Sequence, residues 1–139
     1  MAKISWIIAS IIILISGVLH LYGIFFSEDL HPADSNLTRL MKSSTIQMDK
    51  SGNFWKLWIG FNAMFSVGLI FMGSIILNLS IKHFAFLCKR HFIVLLNIVS
   101  IGFFVWVGHS YMIKDFVIAM SIPLVLFIVG YMSIALSKK

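Results

Sequence analysis

The stretch that decides the fold is residues 54–79, FWKLWIGFNAMFSVGLIFMGSIILNL. After Lys56 no side chain in this stretch carries a charge. As an α-helix that rises about 1.5 Å per residue, it is long enough to cross a hydrocarbon core of roughly 30 Å. We therefore predict a transmembrane helix here.

The two ends of this stretch differ in their polar residues. Trp55 and Trp58 flank Lys56 at the first end, and indole and ammonium groups of this kind sit where a membrane meets water. Further along, Asn62 and Ser66 are four residues apart and therefore share one face of the helix. Side chains of this kind form hydrogen bonds between membrane helices, so we expect this face to contact a neighbouring helix.

Three further apolar stretches follow the same pattern, and with the first they give four predicted spans at 4–26, 54–79, 92–107 and 115–136. Hydrophobic residues make up 60% of the 139 and charged residues only 12%, with a mean hydropathy of +0.99. A soluble domain of this size cannot bury so much apolar surface in one core. The predicted class is an all-α membrane protein, a four-transmembrane-helix bundle that forms a single domain over residues 1–139.

The distribution of basic residues predicts the orientation. With four spans, the N-terminus, the second connection and the C-terminus share one side of the membrane. That side holds six basic residues, Lys3, Lys82, Lys89, Arg90, Lys138 and Lys139, against five on the other. By the positive-inside rule it is cytoplasmic. We therefore predict an N-in, C-in protein of the bacterial inner membrane, with a long extracytoplasmic loop at 27–53.

This loop contains a helix signal. Asp34 or Ser35 can cap a short helix in which Leu37, Leu40 and Met41 share one face, and Thr45 continues that face if the helix extends so far. Such a helix would lie on the membrane surface or over the outer mouth of the spans.

Polar residues inside the spans are the candidates for function, because they are expensive in hydrocarbon. His20, Asn62 and His109 all fall in the predicted outer half, with Asp115 at the outer boundary and His31 within reach from the loop. We predict an outward-facing polar pocket that binds a ligand. Its predicted lining residues are His20, Trp58, Asn62, Ser66 and His109.

Each of these residues also has a purely structural interpretation. His20 can bond to the hydroxyl of Ser16 one turn earlier, and Asn62 with Ser66 can hold two helices together. His109 lies near a helix end, where water can solvate it. Asn97 and Ser100 face a different side of the third span from His109, so we expect them to serve another contact.

Several chemistries fit the sequence poorly. Cys88 is the only cysteine, so a thiol enzyme that needs a cysteine pair is excluded. A proton-coupled exporter needs a carboxylate inside the membrane, and Asp115 at the edge is the nearest. Haem held by His20 and His109 is an alternative that rests on that single pair. No two of His20, His109 and Asp115 have the spacing of a helical metal-ligand pair, so no metal site is predicted.

The net charge of +6 points to the membrane rather than to nucleic acid, because the lysines collect at the ends of apolar segments. Accordingly we expect the lipid bilayer as the main partner and no nucleic-acid binding.

Two short motifs carry a resemblance to known proteins. They are 58–62, WIGFN, with glycines following at Gly68 and Gly73, and 17–21, GVLHL, in the first span. With these motifs the first half of the chain resembles small bacterial four-span integral membrane proteins of uncharacterised function. The resemblance implies a multi-pass protein of the bacterial cytoplasmic membrane in which His20 and Asn62 are recurring polar positions. It implies no activity.

The sequence leaves several functions open. The first hypothesis is a non-enzymatic protein that binds a lipid, an apolar ligand or a partner protein. The alternative is a membrane-embedded enzyme acting on a lipid or isoprenoid headgroup, with His20 or His109 as acid or base and Asp115 as orienting carboxylate. A haem- or quinone-binding subunit, and a subunit that works only as a homo-oligomer or with a membrane-protein partner, are further alternatives.

Overall fold

The computed structural model describes residues 1–137, and these residues contain six α-helices. In chain order they are α1 (Ala2–Phe26), α2 (Ser35–Ser43), α3 (Phe54–Lys82), α4 (Phe84–Lys89), α5 (His91–Tyr111) and α6 (Lys114–Ser137). Lys138 and Lys139, which contribute to the predicted orientation, lie outside the described residues.

Four of these helices are long and apolar enough to cross a membrane, as predicted: α1, α3, α5 and α6. All four extend beyond the predicted spans, and α3 and α5 do so furthest at their ends, to Lys82 and Tyr111. A helix satisfies its own backbone hydrogen bonds and can therefore continue into the polar headgroup region. The apolar run in the sequence marks only the part that lies in hydrocarbon.

The surface of the long helices is apolar. Only 22–28% of the residues in the most apolar 18-residue window of each helix are buried within the protein. Large side chains such as Phe71 and Val99 are about two-thirds exposed, at 66% and 67%. In water this much contiguous apolar surface would promote aggregation, whereas lipid tails solvate it well. The exposure therefore agrees with the composition in favouring a multi-pass membrane protein.

The connection between α1 and α3 contains the predicted helix α2. Its cap is Asp34, whose Oδ1 accepts a hydrogen bond of 2.8 Å from the backbone N–H of Asn36. After α2, Thr45 and Asn53 form an isolated antiparallel bridge, and Asn53 Oδ1 caps α3 by accepting from the backbone N–H of Lys56 at 2.9 Å. The connection is therefore divided by α2 into two short segments instead of forming one long loop. Its extracytoplasmic location stays a prediction.

The chain divides into two compact units. The first unit contains Met1–Ser16 and the residues from Leu69 onward, and the second unit contains Gly17–Gly68. The helices α1 and α3 each contribute one part to either unit.

The first unit has its core around Trp6, which is 1% exposed. The Trp6 indole donates from Nε1 to the backbone carbonyl of Phe127 at 3.2 Å and meets the ring of Phe84 edge-on. Gly130 lies directly against this indole, and Gly73 lies against the backbone of α1 at Leu14. A Cβ at either position would collide with these neighbouring atoms, so the two glycines permit the close approach of the helices.

Candidate ligand site in the second unit

Two of the predicted site residues come together in the second unit. His20 Nε2 lies 3.1 Å from Asn62 Oδ1, and both side chains are half-buried. The sequence already allowed this pairing, because both residues fall in the predicted outer half of their helices. The helix rotations that bring them face to face are visible only in the structure.

The hydrogen bonds of Asn62 determine which groups donate. Asn62 Nδ2 donates to the backbone carbonyl of Trp58 at 2.8 Å, which turns Oδ1 toward the imidazole. A carbonyl oxygen only accepts, so the ring nitrogen of His20 that faces it carries the proton. In a neutral imidazole the other nitrogen, Nδ1, is then an acceptor. The pair thus presents one imidazole acceptor and one remaining amide N–H.

Other contacts fix the same pair in place. The edge of the Phe65 ring meets the His20 ring with 5.6 Å between centroids and an angle of 84° between planes. Ser66 is buried, and its hydroxyl donates to the backbone carbonyl of Asn62 at 2.8 Å. The hydroxyl of Ser66 therefore serves its own helix, and His20 bonds to Asn62 rather than to Ser16 as the structural alternative supposed.

An apolar recess lies beside this pair, and we call it the α2–α3 recess. It has a volume of about 320 Å³ and is lined by Met41, Phe54, Leu57, Trp58, Phe61 and Asn62. Asn62 is the one polar side chain in that lining. A second apolar hollow of about 390 Å³, lined by Leu30, His31, Pro32, Leu37, Met41 and Trp58, shares Met41 and Trp58 with the first. The apolar face of α2 therefore forms a wall of both.

A polar hollow adjoins the second of these. It has a volume of about 360 Å³ and is lined by Glu28, His31, Pro32, Ala33, Ser35, Thr38, Lys42 and Trp55. Lys42 Nζ lies 5.0 Å from the Trp55 ring centroid, a distance typical of a cation–π contact, and the His31 ring meets the same indole edge-on. One carboxylate, one ammonium group and two hydroxyl groups therefore border this hollow, which shares His31 and Pro32 with the lining of the apolar one.

Sequence reasoning missed part of this lining. Phe54, Leu57 and Phe61 line the α2–α3 recess together with Trp58. Their spacing of three and four residues places them on one helix face, and this signal was present in the sequence. The pairing of Lys42 with Trp55 had no such signal, because it depends on how the connection folds back.

Two predicted candidates belong to the first unit. His109 is exposed in the last turn of α5, and Asp115 is exposed in the first turn of α6. Within the second unit the site contains His20, Trp58 and Asn62, and the inclusion of His109 and Asp115 stays a prediction. Among the described residues no group of three His, Cys, Asp or Glu side chains is placed to hold a metal ion.

Comparisons with known protein families, with curated proteins and with solved structures find no match to this chain. What can be said of its function therefore rests on the residues and their geometry.

Proposed function

We propose that the chain is a multi-pass membrane protein whose second unit binds an amphipathic, lipid-like molecule. The apolar body of the molecule occupies the α2–α3 recess and the adjoining apolar hollow, and its polar end meets the polar hollow around Lys42. The basic residues at the helix ends support an N-in, C-in orientation in a bacterial inner membrane. The site then opens to the extracytoplasmic side.

One observation carries this proposal. The α2–α3 recess is apolar except for Asn62, and the side chain of Asn62 is held by hydrogen bonds to His20 and to the Trp58 carbonyl. Ligand sites are typically apolar with a few polar groups in fixed positions. A polar group held in this way loses little conformational entropy when a ligand binds.

The polar hollow supports the same class of ligand. Glu28 and Lys42 supply opposite charges to its lining, and Trp55 supplies an aromatic face. A headgroup that carries both a phosphate and an amine matches such a lining, because each of its charges meets an opposite one. Tryptophan and lysine at this position are also typical of the membrane–water interface.

Native mass spectrometry of the detergent-purified protein tests this proposal. Phosphatidylethanolamine is added, and the retained lipid is compared between the wild type and Met41→Trp. Met41 lines both apolar spaces, so the larger tryptophan side chain should occupy part of each. Leu40→Trp is the matched control, since Leu40 is the preceding residue of α2, is 56% exposed and lines neither space. We expect Met41→Trp to lower the affinity about tenfold, which corresponds to about 1.4 kcal/mol, and Leu40→Trp to leave it unchanged. Equal lipid retention by all three proteins would contradict the proposal.

A second candidate function is catalysis on the headgroup of the bound lipid. The observation that favours it is the orientation of His20 by Asn62, because a general base is typically held by such a partner. If His20 is a catalytic base, His20→Ala abolishes turnover of added lipid, whereas Met41→Trp mainly raises the lipid concentration that half-maximal turnover requires. If His20→Ala and the wild type leave added lipid equally unchanged, the enzyme hypothesis fails and binding alone remains.

A further inference from the structure

The first unit contains a buried polar group that the proposed function does not use. Asn97 of α5 is 5% exposed, and neither its Oδ1 nor its Nδ2 has a hydrogen-bond partner among the residues that the structure describes. Buried amide groups in proteins are almost always hydrogen-bonded. Both atoms are inaccessible in this conformation, so a ligand can supply one donor and one acceptor once the Asn97 side chain rotates toward the adjacent groove.

Asn97 lies in the wall of an apolar groove between α3 and α5. The groove has a volume of about 280 Å³ and is lined by Phe71, Met72, Ile75 and Ile76 of α3 and by Ile93, Leu96, Asn97 and Ser100 of α5. Ser100 is three residues from Asn97 and thus on the same helix face, as the sequence predicts for this pair. These two are the polar members of an otherwise aliphatic and aromatic lining.

The position of the groove selects an uncharged ligand. Asn97 lies six residues after the start of α5 at His91, about 9 Å along the helix axis, and so inside the apolar segment. No charged side chain lines the groove. A charged group would lose its hydration here without an opposite charge, whereas a neutral group that donates and accepts can pair with the carboxamide.

The shape of the groove selects a single chain. Its volume equals that of about nine water molecules, enough for one chain of roughly eight to ten methylene groups. A second copy related by a two-fold axis fills the groove only if a ridge on the same face of the protein fits it, and pairing of two chains is therefore an outcome of the test below. A hydrocarbon tail alone fills the groove but leaves the Asn97 carboxamide unpaired.

We propose that the groove between α3 and α5 binds a neutral single-chain amphiphile, with its donor–acceptor end group on Asn97 and its chain along Ile75 and Leu96. Primary amides and primary alcohols have this chemistry. The groove shares no lining residue with the lipid site of the second unit, and this proposal does not depend on that one.

The test follows the side-chain amide of Asn97 by NMR in nanodiscs made from ¹⁵N-labelled protein. The amide is assigned by its absence in Asn97→Leu. Dodecanamide, 1-dodecanol and dodecane are added in turn. We expect the first two to shift the Asn97 amide resonances saturably and dodecane to leave them in place. Dodecanamide is also expected to bind the wild type about three- to fifteenfold more tightly than Asn97→Leu, as the loss of one hydrogen-bonded amide pair implies.

A second variant keeps the proposal testable if Asn97→Leu does not fold. Leu96→Trp blocks the groove from a position that is 53% exposed, and it is expected to abolish the shift. Val99→Trp is the matched control, because Val99 is 67% exposed on the same helix outside the groove lining. Three results would overturn the proposal: equal shifts with dodecane, a shift that survives Leu96→Trp, or a mass that shows Asn97-dependent pairing of two chains.

Discussion

The hydrogen bond between His20 and Asn62 is the contact on which the candidate site depends, and a double-mutant cycle measures it. Asn62→Leu and His20→Phe keep the side-chain volumes close to those of the wild type. Asn62→Leu removes the 3.1 Å bond to the imidazole and the 2.8 Å bond to the Trp58 carbonyl. His20→Phe removes only the bond to Asn62 and keeps a ring against Phe65.

The expected magnitude follows from the position of the pair. Hydrogen bonds between membrane helices contribute about 0.6 kcal/mol on average and up to about 1.7 kcal/mol in such cycles. We expect each single variant to lower the free energy of unfolding by about 1 kcal/mol, since each leaves one half-buried polar group without its partner. The double variant should then lose less than the sum, by about 0.5 to 1.7 kcal/mol.

The assay is reversible unfolding in mixed micelles, followed by tryptophan fluorescence. The control cycle combines His20→Phe with Asp34→Ala, which removes the α2 cap and shares no hydrogen-bond partner with His20. That cycle should be additive within about 0.3 to 0.5 kcal/mol. If the His20–Asn62 cycle is also additive within this limit, the bond does not hold the two helices together and the account of the site is wrong.

Three structural contacts outside the two sites can also be tested: a helix cap, a close glycine contact and a hydrogen-bonded turn. Asn53→Ala should lower stability by about 1 kcal/mol through loss of the α3 cap, measured by the same unfolding assay. Gly130→Ala should lower stability by about 1 to 3 kcal/mol, since its Cβ would push into the Trp6 indole. The exposed Gly68→Ala should instead raise stability by up to about 1 kcal/mol through helix propensity, and a Gly130→Ala protein as stable as Gly68→Ala would refute the packing. Hydrogen bonds from the Ser51 hydroxyl and N–H lower the pKa of Asp49. These bonds should therefore stabilise the turn fully at pH values above the ordinary aspartate pKa, and the turn should loosen as the pH falls through the lowered pKa. A lower protection factor against amide exchange at Ser51 in acid, absent in Asp49→Asn, would show this.

Much of the fold could be predicted because hydrocarbon imposes a simple rule on sequence. A membrane helix must be predominantly apolar over the part that lies in hydrocarbon, so α3 is visible as an uncharged run after Lys56. The helix α2 was also visible, because Asp34 is a favoured cap and Leu37 and Met41 recur at helical spacing. These are local signals, and they need no knowledge of neighbouring helices.

The candidate site could be predicted only in part, because it depends on helix rotation. An all-round apolar helix carries little information about which face meets which neighbour. His20 was therefore as compatible with Ser16 as with Asn62, and the bond to Asn62 follows from packing. The unpaired carboxamide of Asn97 was hidden for the same reason, since its partners depend on the neighbouring helix rather than on its own sequence.

Lipid binding by the second unit is decided by the native mass of the protein purified in mild detergent, measured with the absorbance spectrum of the same sample and with His20→Ala beside the wild type. We expect the wild type to carry a bound molecule in the lipid mass range. In His20→Ala the affinity for this molecule should be about tenfold lower, because losing a fixed polar contact of about 1.4 kcal/mol gives that factor. A wild type that carries no lipid-range mass would contradict this expectation. A Soret band that disappears in His20→Ala would also contradict it, because His20 would then be a haem ligand.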